Sequence, residues 1–267
     1  MNAVDIVGLR LSFPRHGNAL EVLRDLNLEV GIGEFVAILG PSGCGKSSLL
    51  KTLGGLLNPS GGLINLLGDL PHQARRKRRI GFVFQNPVLF PWRNVLQNIL
   101  LPAEVFGYKG VNGDESARAD WVERAQRMVD LVGLSGFERA FPRQLSGGMQ
   151  SRVAIGRALS YEPEILLMDE PFGDLDELTR TRMNLEMLRL RSATRCTVLF
   201  VTHSIAEAVF LSDKVAIMSP RPSRIADELR IELPSRRTLA VQDTPRFIEY
   251  TKFLRRAIGI LSEDAAG

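Results

Sequence analysis

The strongest constraint on how this chain folds is the stretch Gly40-Pro41-Ser42-Gly43-Cys44-Gly45-Lys46-Ser47, set between an apolar run of strand length, Glu34–Leu39, and a helical pattern over Lys46–Leu57. It matches G-x-x-x-x-G-K-[ST], in the strand–turn–helix context that pattern needs. Gly43 and Gly45 let successive backbone N–H groups turn toward one anion, in conformations that side chains would obstruct. The helix beginning near Lys46 adds the positive end of its dipole. Lys46 is then placed to reach the β- and γ-phosphates of ATP, and the Ser47 hydroxyl to ligate Mg²⁺. Cys44 reads either as a small residue filling a tight turn or as a thiol made reactive beside Lys46.

A phosphate cradle needs carboxylates, and a second apolar strand supplies them. Ile165-Leu166-Leu167-Met168 runs into Asp169-Glu170, and buried strands rarely end in adjacent acids unless positive charge waits there. Asp169 would hold the Mg²⁺ shell, directly or through water, and Glu170 would polarise the water that attacks the γ-phosphate. A third apolar run, Thr197–Thr202, ends in His203. On a strand parallel to the one carrying Asp169, this imidazole can face the γ-phosphate and orient the water. The alternative is an ordinary surface or core histidine.

Around these motifs the pattern alternates strand and helix. Val7-Leu9-Leu11 and Leu26-Leu28-Val30 alternate with polar residues, as half-buried antiparallel strands do. Leu63–Leu67 and Ile80–Phe84 read as further strands. Val95–Phe106, Glu115–Val132 (closed by Gly133) and Ser146–Leu159 read as helices. Helices over Glu177–Leu190 and Ile205–Leu211 then alternate with the strands Ile165–Met168, Thr197–Thr202 and Val215–Met218. Such alternation implies a parallel sheet with helices on its faces. The expected fold is therefore α/β, a P-loop NTPase with a parallel core sheet, an N-terminal antiparallel β subdomain and a helical subdomain at about 87–160. Residues after Pro220 read as a short strand, a polar link and a final helix near Phe247–Leu261, giving a main domain over 1–225 and a C-terminal tail over 226–267.

Hydrophobic residues at 45% and charged residues at 24% suit a packed soluble domain. No run approaches the ~18 apolar residues that cross a bilayer; Pro102, Glu104 and Gly107 interrupt the best candidate. Met1–Asp5 has neither a basic start nor an apolar core, so no secretion signal is expected. Cys44 and Cys196 have no metal-ligand spacing and suggest a reducing compartment. The net charge of +4 has its focus at Arg75-Arg76-Lys77-Arg78-Arg79. That run lacks aromatic interleaving and is expected to be a solvated loop, with contact to lipid headgroups or a partner as the alternative.

Leu145-Ser146-Gly147-Gly148-Met149-Gln150 resembles the signature motif of ABC ATPases, and the other motifs stand in that family's order. The resemblance covers residues from about 4 to 225. It implies that Phe13 stacks on adenine and that Gln85 links Mg²⁺ to a transmembrane partner. It also implies that Asp176, in Pro171–Asp176, communicates across a dimer, and that His203 is the switch histidine. Ser146, Gly147 and Gly148 open a helix and form a second anion-binding end. In the family this end closes on the ATP held by a second copy of the chain. Three positions depart from the family pattern. Met149 stands where glutamine is commonest, with the neighbouring N–H groups still available for ATP. Ser48 replaces a threonine, and Asp174 replaces a small uncharged residue.

The segment Gln85–Val95 resembles the groove that receives a short helix from a membrane subunit, two transmembrane permease subunits being expected, with Phe90 and Trp92 as apolar anchors and Arg93 as a polar clamp; the alternative is that these side chains pack inside their own domain. Leu89-Phe90-Pro91-Trp92-Arg93 and Met218-Ser219-Pro220-Arg221-Pro222-Ser223-Arg224-Ile225 are similar to the bacterial nitrate/sulfonate/taurine importers. That resemblance implies an ATPase at the cytoplasmic face of the inner membrane, driving uptake of a small anion delivered by a separate substrate-binding protein. An ABC-type ATPase acting in nucleic-acid repair or translation is the alternative; such chains carry two motor domains or a long coiled coil, and no nucleic acid is expected here. A small-molecule kinase would lack the Ser-Gly-Gly motif, and an exporter motor is normally fused to membrane helices.

Overall fold

The computed structural model describes residues 1–15, 18–108 and 118–263. The part of the helix expected from Glu115 that precedes Arg118 lies outside them. Strands β1 (Asn2–Arg15) and β2 (Asn18–Gly31) pair antiparallel, and β1 also takes β4 (Gly61–Leu66) on its other edge. Expected alternation holds in β2, where Leu26, Leu28 and Val30 are buried. In β1 it slips. Val7 is exposed while Ile6 and Leu9 are both buried, because the ladder shifts register between them at Gly8, whose φ is 58°. A bulge adds one residue to one strand, so the buried stripe changes phase across it.

The main sheet has the order β5-β6-β7-β3-β8-β9. It is built from β3 (Phe35–Leu39), β5 (Ile80–Val83), β6 (Ile165–Asp169), β7 (Thr197–Val201), β8 (Lys214–Met218) and β9 (Ile225–Arg230). The first five of that order run parallel, while β9 pairs antiparallel with β8. Every residue of β3, β6, β7 and β8 is buried, which is why these strands read as unbroken apolar runs. Alternate side chains serve two cores. Phe35, Ala37 and Leu39 pack beneath α3 (Val95–Val105), α4 (Arg118–Leu131), α5 (Gly147–Leu159), α6 (Glu177–Thr194), α7 (Ile205–Leu211) and α8 (Pro245–Glu263). Val36 and Ile38 join the core shared by the antiparallel sheet and α1 (Lys46–Leu53).

Two features depart from the expectation. The first helix stops at Leu53 rather than Leu57, where Gly54 caps it and Gly55 turns the chain at φ 63°. The basic run is not a solvated loop. Arg75 and Arg76 close a short helix, α2 (Pro71–Arg76), Lys77 bonds Asp69 at 2.6 Å, and Arg79 reaches Asp69 and Glu164. Arg78 stacks 4.1 Å over the Phe106 ring. The core sheet is parallel from β5 to β8, as expected, and β9 adds an antiparallel edge. The segment after residue 225 carries the expected strand and final helix: β9 joins the sheet edge, and Phe247, Tyr250 and Leu254 of α8 lie in the helix-side core.

Candidate active site

Parallel strands deliver their C-terminal ends to one edge of the sheet. Register places Ile38 beside Val201 and Val201 beside Asp169, with Val83 beside Met168. The residues that follow these positions therefore gather along that edge: the glycine-rich turn after β3, Glu170 after β6, His203 after β7 and Gln85 after β5. Open α/β sheets bind ligands at this edge.

The turn is shaped by what lies under it. Gly45 sits at φ 119°, and a Cβ there would meet Val22 Cγ1 at 2.7 Å, so no other residue fits between β2 and the head of α1. Two residues of the β8–β9 connection, marked in the sequence only as part of a family likeness, brace the turn from outside. The Ser223 hydroxyl donates to the Cys44 carbonyl, and Arg221 Nε donates to the Gly43 carbonyl at 3.0 Å. In a trans peptide, a carbonyl held outward turns the following N–H inward. Lys46 is only 6% exposed. Its ammonium donates to the Gly40 and Pro41 carbonyls at 2.9 and 3.0 Å, so a desolvated cation lies over the N–H cradle of residues 43–48. Cys44 is the space-filling residue of the two alternatives: it is buried, and burial pushes its thiol up rather than activating it.

Ser47 and Asp169 meet across the sheet edge, the Ser47 hydroxyl donating to Asp169 Oδ1 at 2.8 Å. Burial pushes the Asp169 carboxyl above the ordinary carboxylate range, and the Glu170 charge adds to this, with Ser47, Lys51 and Lys46 pulling the other way. A hydroxyl and a carboxylate side by side are oxygen donors suited to a hard cation such as Mg²⁺. Among the described residues no group of three His, Cys, Asp or Glu side chains is arranged to hold a metal. A cation at Ser47 and Asp169 would thus complete its shell from phosphate and water, the usual habit of Mg²⁺. Glu170 takes φ 45° as the strand ends, and its Oε2 lies 3.5 Å from His203 Nδ1. The imidazole is half exposed and the carboxylate mostly covered, an arrangement in which both groups can reach a water lying beside them.

The remaining residues lie around this edge. Phe13 is half-buried on β1 opposite Leu20, on the strand pair whose Val22 lies under Gly45. Gln85 is exposed just beyond β5. The chain after it is pinned by Arg157 of α5, which donates to the carbonyls of Pro87 and Val88 at 2.7 and 2.8 Å. Asn98, fully buried, bonds both the N–H and the carbonyl of Phe90. Neither Arg157 nor Asn98 carries a spacing signal that would mark it in the sequence. On this braced corner Trp92 is 69% exposed and its ring lies 5.1 Å from that of Phe90. Arg93 turns inward to Glu104 at 2.8 Å rather than outward as a clamp.

Ser146, Gly147, Gly148 and Met149 stand apart from the cradle. Ser146 caps α5, its hydroxyl accepting from the Met149 N–H at 3.3 Å. Among the described residues no hydrogen bond or ion pair joins this helix end to Gly40–Ser48. It abuts α6 instead: a Cβ on Gly148 would meet Thr179 at 2.6 Å. Asp176 caps α6 by accepting from the Thr179 N–H at 2.9 Å, a bond that holds its carboxyl below the usual range. Ser146, Gly147, Asp174 and Asp176 are all exposed.

Residues 23–173 match the family model described as ABC transporter. An uncharacterised ABC transporter ATP-binding protein of Methanocaldococcus jannaschii is 42% identical over 94% of this chain and 88% of its own length. A taurine import ATP-binding protein of Jannaschia sp. is 36% identical over 99% and 96% of the two chains. A nitrate import ATP-binding protein of Synechocystis sp. is 39% identical over 93% and 92%. A solved dimeric ATP-binding cassette, in a post-hydrolysis state with ADP and phosphate, superposes with a TM-score of 0.74 at 30% identity, covering 86% of this chain and all of the other.

Proposed function

The chain belongs to the ABC transporter family and is an ATPase of that family; from this premise we propose that it is the ATP-hydrolysing subunit of a bacterial importer for a small anion such as an aliphatic sulfonate, nitrate or taurine. One observation carries the reading: the chain has two anion-binding helix ends, at Gly45–Ser47 and Ser146–Gly148, and among the described residues nothing joins them. A single copy offers its triphosphate one half of a site, and a second copy supplies the other half.

In this reading the N–H groups of residues 43–48 and the Lys46 ammonium bind the phosphates, and Phe13 covers the adenine. Ser47, Asp169 and Gln85 hold Mg²⁺, which when bound would neutralise phosphate charge in the transfer. Glu170 draws the proton of the attacking water while His203 fixes that water's orientation. Ser146, Gly147, Gly148 and Met149 of one copy close on the nucleotide held by the other, with Asp176 beside them. Two transmembrane permease subunits dock around Gln85–Val95, where Trp92 presents an exposed aromatic face. Among the described residues no helix is long and apolar enough to cross a membrane; in this reading the motor works at the cytoplasmic face, held there by those subunits. A separate substrate-binding protein delivers the anion. The ATPase domain spans residues 1–225, with its helical subdomain at about 87–160, and residues 226–267 form a C-terminal segment fastened to it.

The test is uptake by the complex reconstituted in proteoliposomes, with taurine, nitrate and aliphatic sulfonates as cargo. ATP-dependent accumulation of one of these anions is the expected result. ATPase activity stimulated by DNA, with no uptake of any of them, would overturn the proposal.

A further inference from the structure

A buried carboxylate lies between the hydrolytic edge and the surface that carries Asp176. Glu207, on α7, is 4% exposed. Its Oε2 accepts from the Thr202 hydroxyl at 2.5 Å, while its Oε1 is enclosed without a hydrogen bond. Arg180 Nε of α6 lies 3.6 Å from that orphaned oxygen, beyond hydrogen-bond length. Burial pushes the Glu207 carboxyl above the usual range, with Thr202 and Arg180 pulling it down. A buried ionisable group with an unused oxygen costs free energy that an amide or an apolar side chain would avoid.

Both ends of this pair are attached to residues of the proposed site. Thr202 immediately precedes His203, receives the Ser204 N–H on its hydroxyl at 3.0 Å, and donates its own N–H to Ile38 at 3.3 Å, just before the phosphate turn. Arg180 donates through its other nitrogen to the carbonyls of Leu175 at 2.8 Å and Gly173 at 3.5 Å. Those two carbonyls belong to the loop that ends in Asp176. A chain of contacts therefore runs from β3 and His203, through Thr202, Glu207 and Arg180, to the loop beside the Ser146 helix end. Its one loose link is the Arg180–Glu207 gap.

We propose that Thr202, Glu207 and Arg180 form a joint that sets the Gly173–Asp176 loop by the position of His203, the gap closing to a hydrogen bond when nucleotide fills the site. Occupancy of one site is thereby registered on the surface offered to the second copy. Glu207 and Arg180 are positioning residues, acting through His203 and Asp176. The inference rests on the paired-copy reading above.

The experiment is a double-variant cycle on the full chain with ATP and Mg²⁺: Glu207→Gln, Arg180→Gln and both together. It reads ATP affinity, kcat and the Hill coefficient, with thermal unfolding alongside. ATP affinity should stay within about twofold of wild type while kcat falls about tenfold in each single variant, the scale of a small misplacement at a reacting centre. The double variant should lose no more than either single one, because both break the same link. The Hill coefficient should fall toward about one as the two sites uncouple. Glu207→Gln removes a buried charge without changing shape, so its Tm should hold or rise while kcat drops, a combination that a merely structural carboxylate would not give. Arg180→Lys keeps the charge and should recover part of the kcat lost in Arg180→Gln; should Arg180→Gln not fold, Arg180→Lys stands in for it. Losses that multiply in the double variant, or wild-type kcat and cooperativity in Glu207→Gln, would overturn the joint. Wild-type protein that hydrolyses ATP without pairing would remove the reading beneath it, and is told apart by running the wild type first.

Discussion

The strand-end edge and the 85–95 corner are built on opposite plans. At the edge, Lys46, Asp169 and Glu170 are largely covered; Lys46 is held by carbonyls of its own turn, and Asp169 and Glu170 meet partners brought from far along the chain. At the corner, the backbone is pinned from inside by Asn98 and Arg157, while Val88 and Trp92 stand in the open. Enclosure at the edge lowers the local dielectric and makes each charge count. The corner's exposed aromatics gain nothing within a single chain, and a rigid frame beneath exposed apolar groups is the form of a docking surface. In the proposed function one region changes a phosphate and the other is gripped.

That contrast can be broken by separating chemistry from grip. Lys46→Ala removes the one cation buried at the cradle and should weaken ATP binding by about a hundredfold or more, read by nucleotide titration. Binding within a few-fold of wild type would mean that the backbone N–H groups alone bind the phosphates. Glu170→Gln should keep ATP affinity but lower turnover by about a hundredfold or more, the share commonly supplied by a general base; single-turnover kinetics would show it. Wild-type turnover would exclude Glu170 as the base.

The corner calls for different measurements. Asn98→Ala strands the Phe90 N–H and the Arg93 carbonyl, and should cost about 2–3 kcal/mol in urea unfolding. Smaller loss would mean that water replaces the amide. Trp92→Ala should leave stability within about 0.5 kcal/mol and free-subunit ATPase unchanged, while transport by the assembled complex falls. Transport at the wild-type level would reduce Trp92 to an incidental surface residue.

The candidate site was legible in the sequence because its motifs are residues close in the chain: a turn of glycines before Lys46, two acids closing an apolar strand, a serine and two glycines opening a helix. The parallel strands were legible for the same reason, since burial on both faces leaves an unbroken apolar run in β3, β6, β7 and β8. What escaped depends on partners that only the folded chain brings together. Arg79 looked solvated until the fold placed Glu164 beside it. Arg157, Asn98, Ser223 and Glu207 bond backbone or side chains that no local spacing announces. The shifted stripe of β1 turned on one bulge at Gly8, and the antiparallel β9 on a pairing decided by the whole sheet. Arg93, read as a clamp, found Glu104 within its own chain.

The pairing of two half-sites is tested most directly by mixing two inactive chains. Lys46→Ala destroys the cradle and leaves the Ser146 helix end intact; Ser146→Arg blocks that end and leaves the cradle. Each alone should be nearly silent, and their mixture should recover ATPase activity, because a mixed pair contains one complete composite site. A mixture that stays as inactive as its components, or Ser146→Arg protein that hydrolyses ATP normally by itself, would contradict a nucleotide held between two copies.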